Sequence, residues 1–257
     1  MNSAHRQIGH TVRFDWGRVG AAAVGADARV TVVVDVLSFT TTLSVAADLG
    51  VTVLPYRWRD ESAARYAAEH DAVLAVGRRE AGAGQVSLSP ATVRSASGLT
   101  RLVLPSPNGS SIAYTLAAHA TCVGASLRNA RAVAAWITAE YPATAAVAVV
   151  AAGELWPDGS LRPAVEDLWG AGAVISELLR SRGATAASPE AKVAVAAWRA
   201  IAEGPREALL DCASGRELVE GGFGGDVLIA AEIDSSRSVP VLDGAHGFRD
   251  AAAVEGR

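Results

Sequence analysis

Two groups of acidic residues stand where chemistry could begin. Asp35 interrupts the β-branched run Thr31-Val32-Val33-Val34-Asp35-Val36, and Glu166-Asp167 open a helical stretch that continues through Gly170 and Gly172. Hard oxygen donors of this kind suit Mg2+, which takes one or two protein carboxylates and leaves its other positions to water and a substrate phosphate. A cation there would offset the charge that builds on a transferring phosphoryl group. A plainer reading stands beside this one. Asp35 is also a strand-end carboxylate able to cap the next helix, and Glu166-Asp167 a first-turn pair complementing the helix dipole.

Four segments share one format, a buried strand followed at once by small hydroxyl and amide residues that open a helix. They are Asp35 to Thr42, Ser106-Pro107-Asn108-Gly109-Ser110-Ser111, Gly124-Ala125-Ser126-Leu127-Arg128-Asn129, and Ala151-Ala152-Gly153-Glu154. In an α/β sheet such loops collect at the carboxyl ends of strands, where helix N-termini and hydroxyls suit a phosphate or carboxylate. Any one of them alone reads as an N-cap or turn. None matches GxxxxGK[ST], and no GxGxxG follows the first strand, so the common nucleotide-phosphate loops are not supported. His5, His10, His70, His119 and His246 show no metal-ligand spacing, and neither HExxH nor GxSxG occurs. Cys122 falls in an apolar run and reads as a small core residue. The glycines of Gly221 to Asp226 could cradle a phosphate, but a helix stop before a strand is the commoner meaning of such a segment.

The elements that would position these residues alternate. Strands are expected at Thr31 to Val36, Val51 to Pro55, Ala72 to Val76, Arg101 to Leu104, Thr121 to Val123 and Ala145 to Ala151. Helices are expected at Thr41 to Leu49, Glu61 to His70, Ser110 to Ala118, Asn129 to Glu140 and, as a long one, Pro163 to Gly183. Pro189 to Glu203 and Arg206 to Ala213 are expected to be helical, and Val227 to Ala230 and Val239 to Leu242 to be late strands. This alternation argues for a layered α/β fold. Gly82 to Gly98 reads as a long loop, and no low-complexity linker divides the chain, so residues 1–257 are expected to form one unit.

Composition excludes several classes. The chain has 257 residues, 50% of them hydrophobic, and a net charge of −4 with Arg and Glu scattered, which gives no polyanion-binding face. Nucleic acid is not an expected partner. Two distant cysteines suggest neither redox chemistry nor disulfides, and no membrane span or export signal is read, so a cytoplasmic protein is expected. A homo-oligomer is left open.

Several of these segments, taken in order, match one known pattern. Val33 to Thr42 carries Asp-Val-Leu, a variable pair and three Thr. Pro105 to Ser110 carries an Asn-Gly-Ser loop, and Gly124 to Ala130 a Gly-x-Ser segment leading to Asn-Ala. Ala152-Gly153, Glu166-Asp167-Leu168 and Ala171-Gly172-Ala173 follow, and Ser214 to Leu218, Asp226-Val227 and Val239-Pro240-Val241 complete the series. From Trp16 to Leu242 the chain thereby resembles the 2-phosphosulfolactate phosphatase family. The resemblance implies a three-layer α/β/α fold with mostly parallel sheets and two similar, intertwined halves. It also implies a Mg2+-dependent phosphoric monoester hydrolase acting on 2-phosphosulfolactate in coenzyme M biosynthesis, with a small anionic phosphate ester as partner.

On that basis Asp35, Glu166 and Asp167 are the expected catalytic residues and Mg2+ ligands. Thr40, Thr41, Thr42, Ser106, Asn108, Gly109, Ser110, Ser126 and Asn129 are the expected substrate-binding residues, with Arg79 taking the acidic remainder of the substrate. The chain departs from the family at Ser38, where an Arg is usual, at Gly77-Arg78-Arg79, where an acidic residue is lost, at Leu88, where an Asn is lost, and in a longer connection between Gly153 and Glu166. Arg78, Arg79, Arg128 and Arg162 are candidates to restore the missing charge. A divergent member that binds a phosphorylated or sulfonated acid without cleaving it is the alternative.

Overall fold

Val30–Val34 forms strand β2 with all five residues buried, in a computed structural model that describes residues 2–58, 60–117 and 119–255. An uninterrupted β-branched run suits a strand covered on both faces, because each branched side chain packs against the pleat whichever way it points. The other strands are β1 (Val12–Trp16), β3 (Thr52–Tyr56), β4 (Val73–Leu74), β5 (Arg101–Pro105), β6 (Thr121–Ala125), β7 (Val147–Ala151), β8 (Glu154–Leu155), β9 (Leu161–Arg162), β10 (Pro240–Leu242) and β11 (Phe248–Asp250). Helices are α1 (Gly17–Val24), α2 (Phe39–Asp48), α3 (Glu61–Glu69), α4 (Pro90–Ser95), α5 (Gly109–Ala117), α6 (Ala130–Glu140), α7 (Val165–Arg182), α8 (Pro189–Ile201), α9 (Pro205–Asp211), α10 (Ala213–Glu220), α11 (Gly224–Ala230) and α12 (Ala251–Glu255).

Nine strands make one mixed sheet in the order β1-β7-β2-β6-β10-β11-β3-β5-β4, and β8 pairs with β9 in a separate antiparallel ribbon. Within it β1, β7, β2 and β6 are parallel, as are β3, β5 and β4. Three antiparallel pairings, β6 with β10, β10 with β11 and β11 with β3, join the two parallel groups. The chain builds β1 and β2 in one group, crosses to make β3, β4 and β5, then returns for β6 and β7. The first group therefore holds strands from both sides of the second in sequence, and β3, β4 and β5 form one continuous run between them.

Alternate residues of β2 and β7 feed two cores. Val30, Val32, Val34, Val147 and Val149 pack with α6, α7 and α8, whereas Val33 and Val150 pack on the opposite face with α1, α2 and α5. That gives the three layers, helix on sheet on helix. The small residues of α7 serve this packing. A Cβ at Gly172 would stand 2.1 Å from the carbonyl oxygen of Ala194 in α8, and one at Gly170 would meet Val36 at 2.6 Å.

Most expected elements form, with shifted ends, and four expectations need correction. Val227 to Ala230 is not a strand but the end of α11, since a four-residue apolar run has no periodicity of its own to separate strand from helix. The helix expected through Ala213 breaks at Cys212, whose Sγ accepts the N–H of Gly215 at 3.4 Å and starts α10. In the 82–98 loop, Pro90–Ser95 forms a short helix. Between Ala72 and Val76 only Val73–Leu74 is strand.

Strand β1 and helix α1 were not anticipated, because Arg13 and Asp15 interrupt the apolar pattern. Arg13 is nonetheless buried, donating to Asp27 Oδ1 at 2.7 Å, and Gln7 clamps Phe14 through its backbone N–H (3.1 Å) and carbonyl (2.7 Å). No helix among the described residues is long and apolar enough to cross a membrane.

Candidate active site

The loop after β2 is held in shape by its own hydroxyls. Thr40 Oγ1 donates to the Asp35 carbonyl at 2.8 Å and accepts the Asp35 N–H at 3.0 Å. Thr41 Oγ1 donates to the Val36 carbonyl at 2.7 Å, and Thr42 Oγ1 to the Leu88 carbonyl at 3.2 Å. These bonds turn the chain sharply into α2 and aim the Asp35 side chain back across the helix N-terminus. There Oδ1 accepts the Phe39 N–H at 3.1 Å. Oδ2 has no hydrogen bond among the described residues.

The N-terminus of α5 closes on this carboxylate. A Cβ on Gly109 would lie 2.3 Å from the Phe39 ring and 2.9 Å from Asp35 Oδ2, so only glycine permits so near an approach. From α7 comes Asp167, which ties two strand ends together: Oδ1 accepts the Val36 N–H at 2.7 Å and Oδ2 the Gly153 N–H at 2.8 Å. Glu166 precedes it and is 2% exposed. Glu154, at the start of the β8–β9 ribbon, accepts from Ser214 Oγ at 3.0 Å through Oε1 and from Arg162 Nε at 3.1 Å through Oε2.

These parts enclose a cavity of about 360 Å³ whose wall includes Asp35, Ser38, Phe39, Arg78, Leu88, Ser106, Asn108, Gly153, Glu154, Glu166 and Asp167. The loops after β2 and β7 belong to one parallel group and those after β4 and β5 to the other, so the cavity lies where the two groups meet. Residues from the first turns of α2 and α7 and from the entry to α5 stand in its wall, and the free N–H groups and dipoles of helix starts favour negative charge.

Asp35, Glu166, Asp167, Ser106 and Asn108 are thus brought together in the wall, with Gly109 packed behind against Phe39 and Asp35. Thr40, Thr41 and Thr42 stand behind it, fully buried and bonded to backbone carbonyls, and Ser110 Oγ likewise donates to the Leu104 carbonyl at 3.2 Å. Ser126 and Asn129 are elsewhere. Asn129 Oδ1 accepts the Ser126 N–H at 2.8 Å and Nδ2 donates to the Ser238 carbonyl at 3.1 Å, closing the loop after β6 on itself and on the C-terminal segment. Arg128 is spent nearby on Ser44 (2.7 Å) and Asp48 (3.1 Å). Arg79 does not line the cavity, whereas its neighbour Arg78 does. Glu154 is absent from the expected site, and Arg78 enters it only as one of four candidates to restore charge. The strand-loop format shared by the Ala151-Ala152-Gly153-Glu154 segment was the one signal that could have found Glu154.

Four carboxylates facing one arginine leave this wall strongly acidic. Burial pushes Asp35 up to about 6, with the charges of Glu154 and Glu166 adding to the rise and the Phe39 N–H and Arg78 opposing it. Burial also holds Asp167 well above the usual carboxylate range, reinforced by Asp35 and Glu166. Glu166 is raised too, by burial first, against a lowering by the Ser214 hydroxyl. An acidic cluster with raised proton affinities is one that a bound cation would relieve.

The fit to Mg2+ is a two-carboxylate fit. Among the described residues no three Asp, Glu, His or Cys side chains form a ready chelating group. Both Asp167 oxygens already accept backbone N–H groups, while Asp35 Oδ2 and the neighbouring Glu166 offer hard oxygens. Mg2+ often uses one or two carboxylates and completes its shell with water and phosphate, so these residues suit it in that form.

Comparison with known proteins agrees with this architecture. A family model described as 2-phosphosulpholactate phosphatase matches residues 22–245. A probable 2-phosphosulfolactate phosphatase from Thermus thermophilus is 36% identical over 222 residues, covering 85% of this chain and 90% of the relative. One from Deinococcus radiodurans is 32% identical over 222 residues, covering 83% and 87%. Both the length of the match and these identities place the chain: it belongs to the 2-phosphosulfolactate phosphatase family, a family of phosphoric monoester hydrolases.

Proposed function

We propose that this protein hydrolyses the phosphate monoester of a small anionic hydroxy acid of the 2-phosphosulfolactate kind, in a Mg2+-dependent reaction centred on Asp35. One observation carries the reading. A single cavity joins the starts of three helices, which favour phosphate, to an acidic cluster that favours a cation.

Asp35 and Glu166 would hold Mg2+, which when bound would neutralise charge on the phosphoryl oxygens. Asp167 acts through the backbone, fixing the loops after β2 and β7 so that the Asp35 and Glu154 segments keep their spacing. Asn108 and the first N–H groups of α5 orient phosphate oxygens. Leu37, Phe39, Leu88 and Leu104 form the apolar part of the wall and limit water around the ester. Positioning and preorganised electrostatics supply the catalysis, as phosphoryl transfer allows.

Phosphate release from a panel of monoesters, run with Mg2+ and with a chelator, tests the reading. Release from 2-phosphosulfolactate or a close 2-phospho hydroxy acid, lost on chelation, is expected. Tight binding of these esters without release would favour the non-catalytic alternative. Chelation without effect would remove the metal from the mechanism.

A further inference from the structure

Arg78 is the single lysine or arginine among the cavity-lining residues described, and it is held from behind. Its Nε donates to Asp226 Oδ2 at 2.8 Å, and Nη2 donates to Ser38 Oγ. Asp226, in the first turn of α11, is 1% exposed and also accepts from Ser89 Oγ through Oδ1. A carboxylate buried to that degree is costly without its cation, so the pair keeps the guanidinium in place with or without a ligand. Arginine has five N–H donors in a planar fork. Those of Nη1 make no bond among the described residues and remain for a ligand in the cavity.

Arg162, the other arginine close to the acidic cluster, is already committed to Glu154 and Ser214 Oγ (2.9 Å). On the phosphatase reading the phosphate would be held at the start of α5 and by the cation at Asp35 and Glu166. A planar, fixed cation on the segment after β4 is a separate contact, supplied by the other parallel group of strands.

We propose that Arg78 determines specificity by binding a second anionic group of the substrate, a carboxylate or sulfonate, and that Asp226 positions its guanidinium from outside the cavity. This rests on the phosphatase reading but makes a separable claim. A hydroxy-acid phosphate fits because it carries its second anion a few bonds from the ester. An alcohol phosphate with a neutral tail would leave Arg78 unpaired against a ligand.

The test compares 2-phospholactate with its neutral amide, as substrates of the wild-type protein, Arg78→Ala, Arg78→Lys and Asp226→Asn. Arg78→Ala is expected to raise KM about ten-fold more for the acid than for the amide. Arg78→Lys should recover part of that preference, and Asp226→Asn should show a smaller loss in the same direction with kcat retained. Calorimetric binding of lactate and 3-sulfolactate against lactamide gives a second readout independent of turnover, and Arg78→Ala should abolish the preference for the two acids. Failure of the wild type to release phosphate from either ester would overturn the phosphatase reading while the binding preference still judged Arg78. Equal losses for acid and amide would overturn the proposal and place Arg78 on the phosphate. No loss for either would overturn it as well.

Discussion

The loops after β2 and β6 begin alike and end differently. Both leave neighbouring parallel strands, both are rich in Ser, Thr or Asn, and both open a helix, α2 in one case and α6 in the other. After β6 the polar groups satisfy one another: Asn129 closes on Ser126 and Ser238, and Arg128 lies against Ser44 and Asp48. After β2 the threonines satisfy the backbone, and the remaining polar group is a carboxylate with one oxygen unbonded among the described residues and its proton affinity raised. Composition alone does not separate the two. A carboxylate in the cavity wall with one oxygen left unbonded among the described residues does, because a fold bears such a cost where a ligand will offset it.

That contrast can be broken most severely at Asp35. Asp35→Asn keeps an oxygen for the Phe39 N–H and removes the charge, so kcat/KM for the preferred phosphate ester should fall about a thousand-fold or more. Steady-state phosphate release checks it, and a loss under about ten-fold would mean the charge is not used. Next in size is Gly109→Ala, whose Cβ would push against Phe39 and Asp35. A fall in kcat of about ten- to a hundred-fold is expected, with the folded state retained by circular dichroism.

Asn129→Ala sharpens the other side of the comparison. It strands the Ser126 N–H and the Ser238 carbonyl in a buried loop, and chemical denaturation should show a loss of about 2–4 kcal/mol while KM changes by less than about two-fold. A large change in KM at full stability would make the loop after β6 part of the site.

The smallest effect is on stability against pH. Asp35 has its folded pKa raised to about 6, so the folded state favours its protonated form. Stability from this group is present at low pH and is lost as pH rises through about 6. The metal-free melting temperature should therefore drop by a few degrees (about 2 kcal/mol or less) between pH 4.5 and 7.5 relative to Asp35→Asn. Added Mg2+ should restore it at pH 7.5 more than at pH 4.5, and the reverse dependence would contradict the assignment.

How much of this was legible in the sequence follows from what each residue depends on. The β2 run announced itself because burial on both faces needs no partner information, and Asp35 stood out against it. The Asn108 turn and Glu166-Asp167 were legible as helix starts. Thr40, Thr41 and Thr42 looked like anion ligands because a hydroxyl that binds phosphate and one that caps a carbonyl are the same residue in a sequence. Arg78 and Arg79 are indistinguishable in the sequence, because which of two adjacent side chains turns inward depends on Asp226, 148 residues from Arg78. The helical ending of α11 was hidden for a related reason. Val227 to Ala230 carries no period, and the capture of Asp226 by Arg78 and Ser89 is a tertiary event.

We propose that the wall formed by Asp35 and Glu166 takes a magnesium ion, and isothermal titration of Mg2+ into the wild-type protein and Asp35→Asn at pH 7.5 tests this directly. Saturable binding of one ion by the wild type, with affinity lost in Asp35→Asn, is the expected result. Equal affinity in both, or none in either, would contradict it.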